Sequence, residues 1–210
     1  FSLNNQKFNF KIKSRNPFIK LRIFRRLLRL DKSNAFFNFQ KTLVIVIYQG
    51  IIFSFSIKNK ALKELSRLKQ CRCVLHNSIT ITNGCIVFGE YGRNSFRNDV
   101  PLWVSRDDGE SFKVINEIKN IKHIHGAYKD PYKNSIWVTT GDVDGECFLI
   151  EFLNEDFLNP IFHGDGTQKW RTVSLMFRED KIFWIMDSPN EVPKLQILDR
   201  DTMEVTEGKS

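Results

Sequence analysis

The sequence predicts an all-β chain built from repeating four-stranded units, and three observations carry that prediction. First, the segments Gly84 to Glu90, Asn134 to Thr140 and Asp180 to Met186 each place a turn residue before an isoleucine and an apolar β run. Ile86, Ile136 and Ile182 are 50 and 46 residues apart, and Leu43 to Tyr48 supplies an upstream copy with Ile45 lying 41 residues before Ile86. Second, each copy is followed by another apolar strand, a polar turn and then a shorter strand. Third, little helix separates these runs, which argues against a βαβ sheet. Four strands per unit at a period of about 40 to 50 residues is the pattern of a β-propeller.

The elements support this in order. Residues 1–32 hold ten Lys or Arg against Asp31, a net of +9, whereas the remaining 22 basic and 23 acidic residues nearly cancel. A basic arm, residues 1–34, therefore precedes a nearly neutral propeller body, 35–210. Within the arm, residues 16–30 read as a short basic helix: Asn16 suits the N-cap, Pro17 the first position, and Leu21, Phe24, Leu27 and Leu28 share one face. Arg22, Arg25, Arg26 and Arg29 share the other, a pattern suited to a membrane surface or acidic partner, or to docking on the body with solvated arginines. Because the charge is confined to the arm, no nucleic-acid partner is expected.

Thr42 to Ile57 is apolar enough to suggest a membrane span. It is too short for one, is interrupted by Gln49-Gly50 and is rich in β-branched residues, so two strands meeting at a turn fit better. In the later repeats the second strands are Leu102 to Ser105, Cys147 to Phe152 and Leu195 to Asp199. Short strands follow at Phe112 to Ile115 and Met203 to Val205, and leading strands precede at Lys122 to Tyr128 and Arg171 to Phe177. About four blades are visible, and rings close with about four to eight, so the chain is expected to be part of a larger, six-bladed ring. Cys71, Cys73, Cys85 and Cys147 form no disulfide framework, which leans towards a reducing, cytoplasmic or membrane-peripheral location. The chain opens at Phe1 without the features of a signal peptide, which suggests a missing or processed start.

Ser105-Arg106-Asp107-Asp108-Gly109-Glu110-Ser111-Phe112 matches S-x-D-x-G-x-[S/T]-[F/W] between two predicted strands. Its chemistry is that of a turn: Ser105, Asp107 and Ser111 can bond the hairpin backbone, Gly109 can take positive φ, and Phe112 packs inward. Together with Gly89-Glu90-Tyr91, His123-Ile124-His125-Gly126, Asp130-Pro131-Tyr132, Ile136 to Asp142, Gln168 to Arg171 and Asp187-Ser188-Pro189, this turn resembles the Asp-box (BNR-repeat) propellers of the sialidase-like superfamily. The likeness spans about residues 35–205 and is closest to uncharacterised bacterial members. It implies a propeller fold, a central pocket and a link to glycans. Sialidase activity in that family needs an arginine triad, a Tyr-Glu pair, an acid Asp and an Arg-Ile-Pro segment; this chain offers Glu90-Tyr91 and Arg171 but no Arg-Ile-Pro.

Polar groups at the ends of inner strands should gather at one mouth. Glu90, Tyr91, Asp142 and Asp187 end equivalent strands, and His123 and His125, two apart on a strand, face one way. Gln168, Trp170 and Arg171 open the last blade, Trp170 as a platform for a sugar face. The set suits a glycan or small anion without catalysis. A glycoside-processing enzyme using Glu90, Asp142 or Asp187 with His123 or His125 is the alternative, and a tethered scaffold a third; whether the chain is an enzyme stays open. Each acid has a structural reading too, capping a turn or pairing with Arg171. His-x-His lacks a third ligand at an evident spacing, so neither a metal nor a cofactor is expected.

Overall fold

A computed structural model describes residues 2–3, 6–7, 11–14, 20–27, 32–75, 78–189 and 191–208 of the chain. A two-residue pair, Ser2–Leu3 (β1) with Gln6–Lys7 (β2), and one helix, Arg22–Leu27 (α1), precede the body. The expected helix over residues 16–30 is thus six residues long where described; Asn16, Pro17, Leu28 and Arg29 lie outside the described residues. Leu21, assigned to its apolar face, is half-exposed and so is not docked.

The body is four antiparallel sheets of four strands each. Sheet 1 is Ser33–Phe37 (β3), Leu43–Tyr48 (β4), Ile51–Ser56 (β5) and Ala61–Arg67 (β6). Sheet 2 is Thr80–Ile81 (β7), Ile86–Gly89 (β8), Val100–Ser105 (β9) and Lys113–Ile118 (β10). Sheet 3 is His123–Lys129 (β11), Ser135–Gly141 (β12), Cys147–Leu153 (β13) and Ile161–Gly166 (β14). Sheet 4 is Met176–Phe177 (β15), Lys181–Ile185 (β16), Leu195–Asp199 (β17) and Val205–Glu207 (β18). Every strand pairs with its neighbour in sequence, so each sheet is a meander. The first strand begins at Ser33, two residues before the expected start of the body.

Burial explains the order. The repeated isoleucine runs are the second strands, and β4, β8 and β12 are buried along nearly their whole length because both faces meet protein. The fourth strands are the outer edges: β6 carries Lys63, Glu64 and Arg67 and is mostly exposed, which blunts an open edge. Three apolar cores lie between successive sheets. Ile45, Ile47 and Ile52 meet Ile86, Phe88, Trp103 and Phe112; Val87, Val100 and Leu102 meet Ile124, Ile136 and Val138; Trp137, Cys147 and Leu149 meet Ile182, Trp184 and Leu198. The apolar stretch 42–57 is the β4–β5 hairpin, turning at Gln49-Gly50, and no helix among the described residues is long and apolar enough to cross a membrane.

The Ser105 to Phe112 turn joins the third and fourth strands of sheet 2. Asp107 Oδ1 accepts hydrogen bonds from Ser105 Oγ (2.8 Å) and Ser111 N (2.9 Å), and Oδ2 accepts one from Ser111 Oγ (2.6 Å). Gly109 has φ of 93°, and a Cβ there would stand 2.8 Å from Ile45 Cδ1 of sheet 1. Phe112 is buried against Phe88. Ser105 and Asp107 are consumed by the turn.

Candidate functional site

The site is built from β11, the end of β12 and the segment entering sheet 4. β11 and β12 pair with His123 opposite Gly141, and the register shifts between Ile124 and Gly126. His125 is therefore the extra residue of a β-bulge, the kind of irregularity that re-aims a side chain. The two rings converge: His123 Nε2 and His125 Nε2 are 3.1 Å apart. Asp142, one residue past the end of β12, brings Oδ1 to 3.2 Å from His123 Nε2 and 3.5 Å from His125 Nε2. Gly141 makes this approach possible, since a Cβ there would lie 3.3 Å from Arg171 Cγ and 3.4 Å from His125 Cε1.

The outer nitrogens are also committed. His123 Nδ1 is 2.8 Å from the Gly92 carbonyl oxygen and His125 Nδ1 is 2.9 Å from that of Thr172. A carbonyl only accepts, so each Nδ1 carries a proton and each ring turns Nε2 inward, where a neutral ring presents a lone pair. Burial pushes the His123 pKa down, against the opposing pull of the Gly92 carbonyl.

Two cations flank Asp142. Lys122 Nζ donates to Oδ2 at 2.6 Å, and Arg171 Nη2 lies 3.0 Å from Oδ1 while its Nη1 donates to the Asp142 carbonyl at 2.9 Å. Burial opposes ionisation of Asp142, but His125, Lys122, His123 and Arg171 outweigh it and hold the carboxyl well below the usual range. Tyr91 covers His123 with ring centroids 4.0 Å apart and is partly exposed. Asp187, half-exposed, stands at the rim with Oδ2 3.9 Å from Arg171 Nη2.

The expected residues thus divide. Tyr91, His123, His125, Asp142, Arg171 and Asp187 come together. Glu90 does not join them: it is fully buried, and its carboxylate accepts hydrogen bonds from Lys69 N (2.8 Å), Gln70 N (2.5 Å) and Trp103 Nε1 (2.8 Å). Trp170 is no sugar platform, because it is buried and stacks on Trp184 at 5.5 Å within the core between sheets 3 and 4. Gln168 braces the Asp142 loop, donating through Nε2 to the Asp142 carbonyl at 3.2 Å. Lys122 was missed, although it directly precedes His123. The missing third partner of the histidines is Asp142, and the hairpin register that places Gly141 opposite His123 is the signal that finds it.

No protein-family model matches the chain, and no curated protein matches it. Solved structures do. A hydrazine synthase of Kuenenia stuttgartiensis aligns with 83% of this chain and 48% of its own, at 11% identity and a TM-score of 0.55. TolB of Acinetobacter baumannii aligns with 84% of this chain and 43% of its own, at 10% identity and a TM-score of 0.51. A putative TolB of Agrobacterium tumefaciens aligns with 85% and 61%, at 10% identity and a TM-score of 0.50. The fold is a β-propeller. Its four sheets are blades, and the chain spans less than two thirds of the length of each of these neighbours. At such identity the likeness concerns the fold alone.

Proposed function

We propose that this propeller is a recognition module for a small acidic ligand, an anionic sugar or similar carboxylate, held at the mouth formed by Tyr91, Lys122, Arg171 and Asp187 around the His123–His125 pair. The observation that carries this reading is Arg171. Its Nη atoms are used by Asp142, but its buried Nε has no hydrogen-bond acceptor among the described residues. An unpaired buried guanidinium donor costs free energy, and the guanidinium recovers part of it by shifting towards an acidic ligand at its partly exposed edge, where a charge-assisted hydrogen bond forms. The half-exposed phenol of Tyr91 offers an aromatic edge beside it.

Recognition is favoured over glycoside processing by Glu90 or Asp142 because neither carboxyl is a proton donor of the required kind. A general acid needs a raised pKa, whereas the Asp142 carboxyl is held ionised by its flanking cations. Glu90 is closed off by its three donors. Burial and the nearby Asp142 charge also push the Tyr91 pKa up, away from a nucleophilic phenolate.

Calorimetric titration with a panel of neutral sugars, uronic acids and simple carboxylates tests this. Acidic members bind, and Arg171→Gln weakens them about tenfold or more, the loss expected of a charge-assisted hydrogen bond. Absence of binding by every acidic member, or equal binding by Arg171→Gln, overturns the reading. Turnover of aryl glycosides that depends on Asp187 favours the enzyme instead.

A further inference from the structure

We infer that His123, His125 and Asp142 form a binding site for a divalent first-row transition metal, with Zn²⁺ or Fe²⁺ the ions that two imidazoles and a carboxylate suit. Three acceptor atoms, His123 Nε2, His125 Nε2 and Asp142 Oδ1, face one another at 3.1, 3.2 and 3.5 Å. Acceptor atoms at that distance repel unless a proton or a metal cation stands between them. The spacing also fits a particular occupant. An ion bonded at about 2.0 to 2.1 Å in tetrahedral geometry holds its ligands roughly 3.3 Å apart.

The surroundings match what a metal site requires. Both histidines donate Nδ1–H to backbone carbonyls, of Gly92 and Thr172, which fixes the tautomer that presents Nε2 to an ion. The Asp142 segment is held by Arg171 and Gln168, which donate to its backbone carbonyl, while Lys122 on Oδ2 and Arg171 on Oδ1 neutralise the carboxylate that a metal would take. His123 and His125 are buried, while Asp142 is partly open. Three protein ligands leave a coordination position free, as catalytic and ligand-binding metal sites do and closed structural sites do not. Each ligand has a defined place: His123 at the start of β11, His125 at its bulge, and Asp142 one residue past β12. The β11–β12 pairing therefore places both histidines beside the start of the loop that carries Asp142.

Lys122 and Arg171 also oppose a dication, and this gives the site a signature. Removing the Lys122 charge should tighten metal binding, because its Nζ competes for the same carboxylate. The same change should weaken an anionic ligand. Metal and anion are thereby separable, and the inference stands whether or not the mouth takes a sugar.

The test uses the full chain, stripped with a chelator and titrated with Zn²⁺ alone by calorimetry, with Co²⁺ as a spectroscopic probe. The expected result is one equivalent bound, weakened about 100-fold or more in His125→Gln and tightened several-fold in Lys122→Met. Bound Co²⁺ should show d–d bands of nitrogen and oxygen ligation without thiolate charge transfer. Equal Zn²⁺ binding by the wild type and a folded His125→Gln overturns the inference. So does stoichiometric binding that disappears in Cys71→Ala/Cys73→Ala, which would put the ion on thiols. Should His125→Gln lose its circular dichroism signature, the wild-type Co²⁺ spectrum decides, a thiolate band or no bound ion counting against the site.

Discussion

The Asp107 carboxylate holds its turn through bonds to Ser105 and Ser111. Burial works against its charge, but the hydroxyl and amide of Ser111 and the hydroxyl of Ser105 outweigh that and lower its pKa. A carboxyl whose pKa is depressed on folding adds stability above its unfolded value, near 4, and that stability is lost as pH falls through the folded value. Asp107→Asn is therefore expected to lower stability by about 1 kcal/mol at pH 7, solvent screening keeping the effect small. The gap between variant and wild type should close as pH drops below about 4. Urea denaturation at several pH values measures this; a gap that stays constant would remove the charge from the explanation. The eight-residue motif announced this turn because every bond in it is local. Glu90 and Trp170 were misread for the opposite reason. Alternation along a strand reports which face a side chain takes, not what lies across that face, and Glu90 finds donors from Lys69 and Gln70, some twenty residues earlier. Asp142 was named as a pocket residue, but its pairing with the histidines depends on hairpin register, which composition does not carry.

Between elements, each blade is fastened to the next by a polar contact at the turns as well as by an apolar core. Asp108 accepts hydrogen bonds from Asn38 Nδ2 (2.7 Å), Phe39 N (2.8 Å) and Gln40 N (3.1 Å), tying blade 2 to blade 1. Arg106 donates to the Glu155 carbonyl at 2.9 Å and lies over the Phe157 ring, tying blade 2 to blade 3. Arg200 of blade 4 grips Asp130 of blade 3 through two bonds of 2.5 and 3.2 Å. The third fastening differs in depth: the Arg200 and Asp130 side chains are 3% and 0% exposed. Removing one partner of a buried pair strands the other charge, at a cost of about 3 to 5 kcal/mol, whereas replacing both with apolar groups is far milder. Asp130→Leu should thus destabilise strongly in chemical denaturation, and Asp130→Leu/Arg200→Met should recover most of the loss. A single variant within about 1 kcal/mol of wild type would show that water reaches the pair. None of these fastenings is visible in sequence, since the partners are about 50 to 70 residues apart. The strands they join were legible, because the isoleucine runs repeat and the turns between them are rich in glycine, asparagine and aspartate.

Across the whole molecule the blades follow in chain order, and their two outer faces differ. On blade 1 the outer face, Val44, Val46, Ile51, Phe53 and Phe55, is buried, with Ile12 of the N-terminal arm packed against it. On blade 4 the face turned away from blade 3 is a cleft of about 310 Å³ lined by Val173, Met176, Phe183, Ile185 and Leu195, ending at Asp187 beside the candidate site. Met176 and Ile185 there are 60% and 61% exposed, an apolar surface of the kind that an adjoining blade covers elsewhere in this fold. Because these side chains bury little, Met176→Lys/Ile185→Lys should change folding stability by no more than about 0.5 kcal/mol per site. The same pair should lower the fluorescence of a bound hydrophobic dye and the tendency of the chain to self-associate. Both effects follow from area alone, since a charged ammonium on each long stem stays in water while the stem covers part of the patch. A stability loss above about 1 kcal/mol per site, with dye binding unchanged, would mean that the face is covered in solution. Asp187 would then sit at a closed seam, and the site would open only on the side of Tyr91 and Lys122.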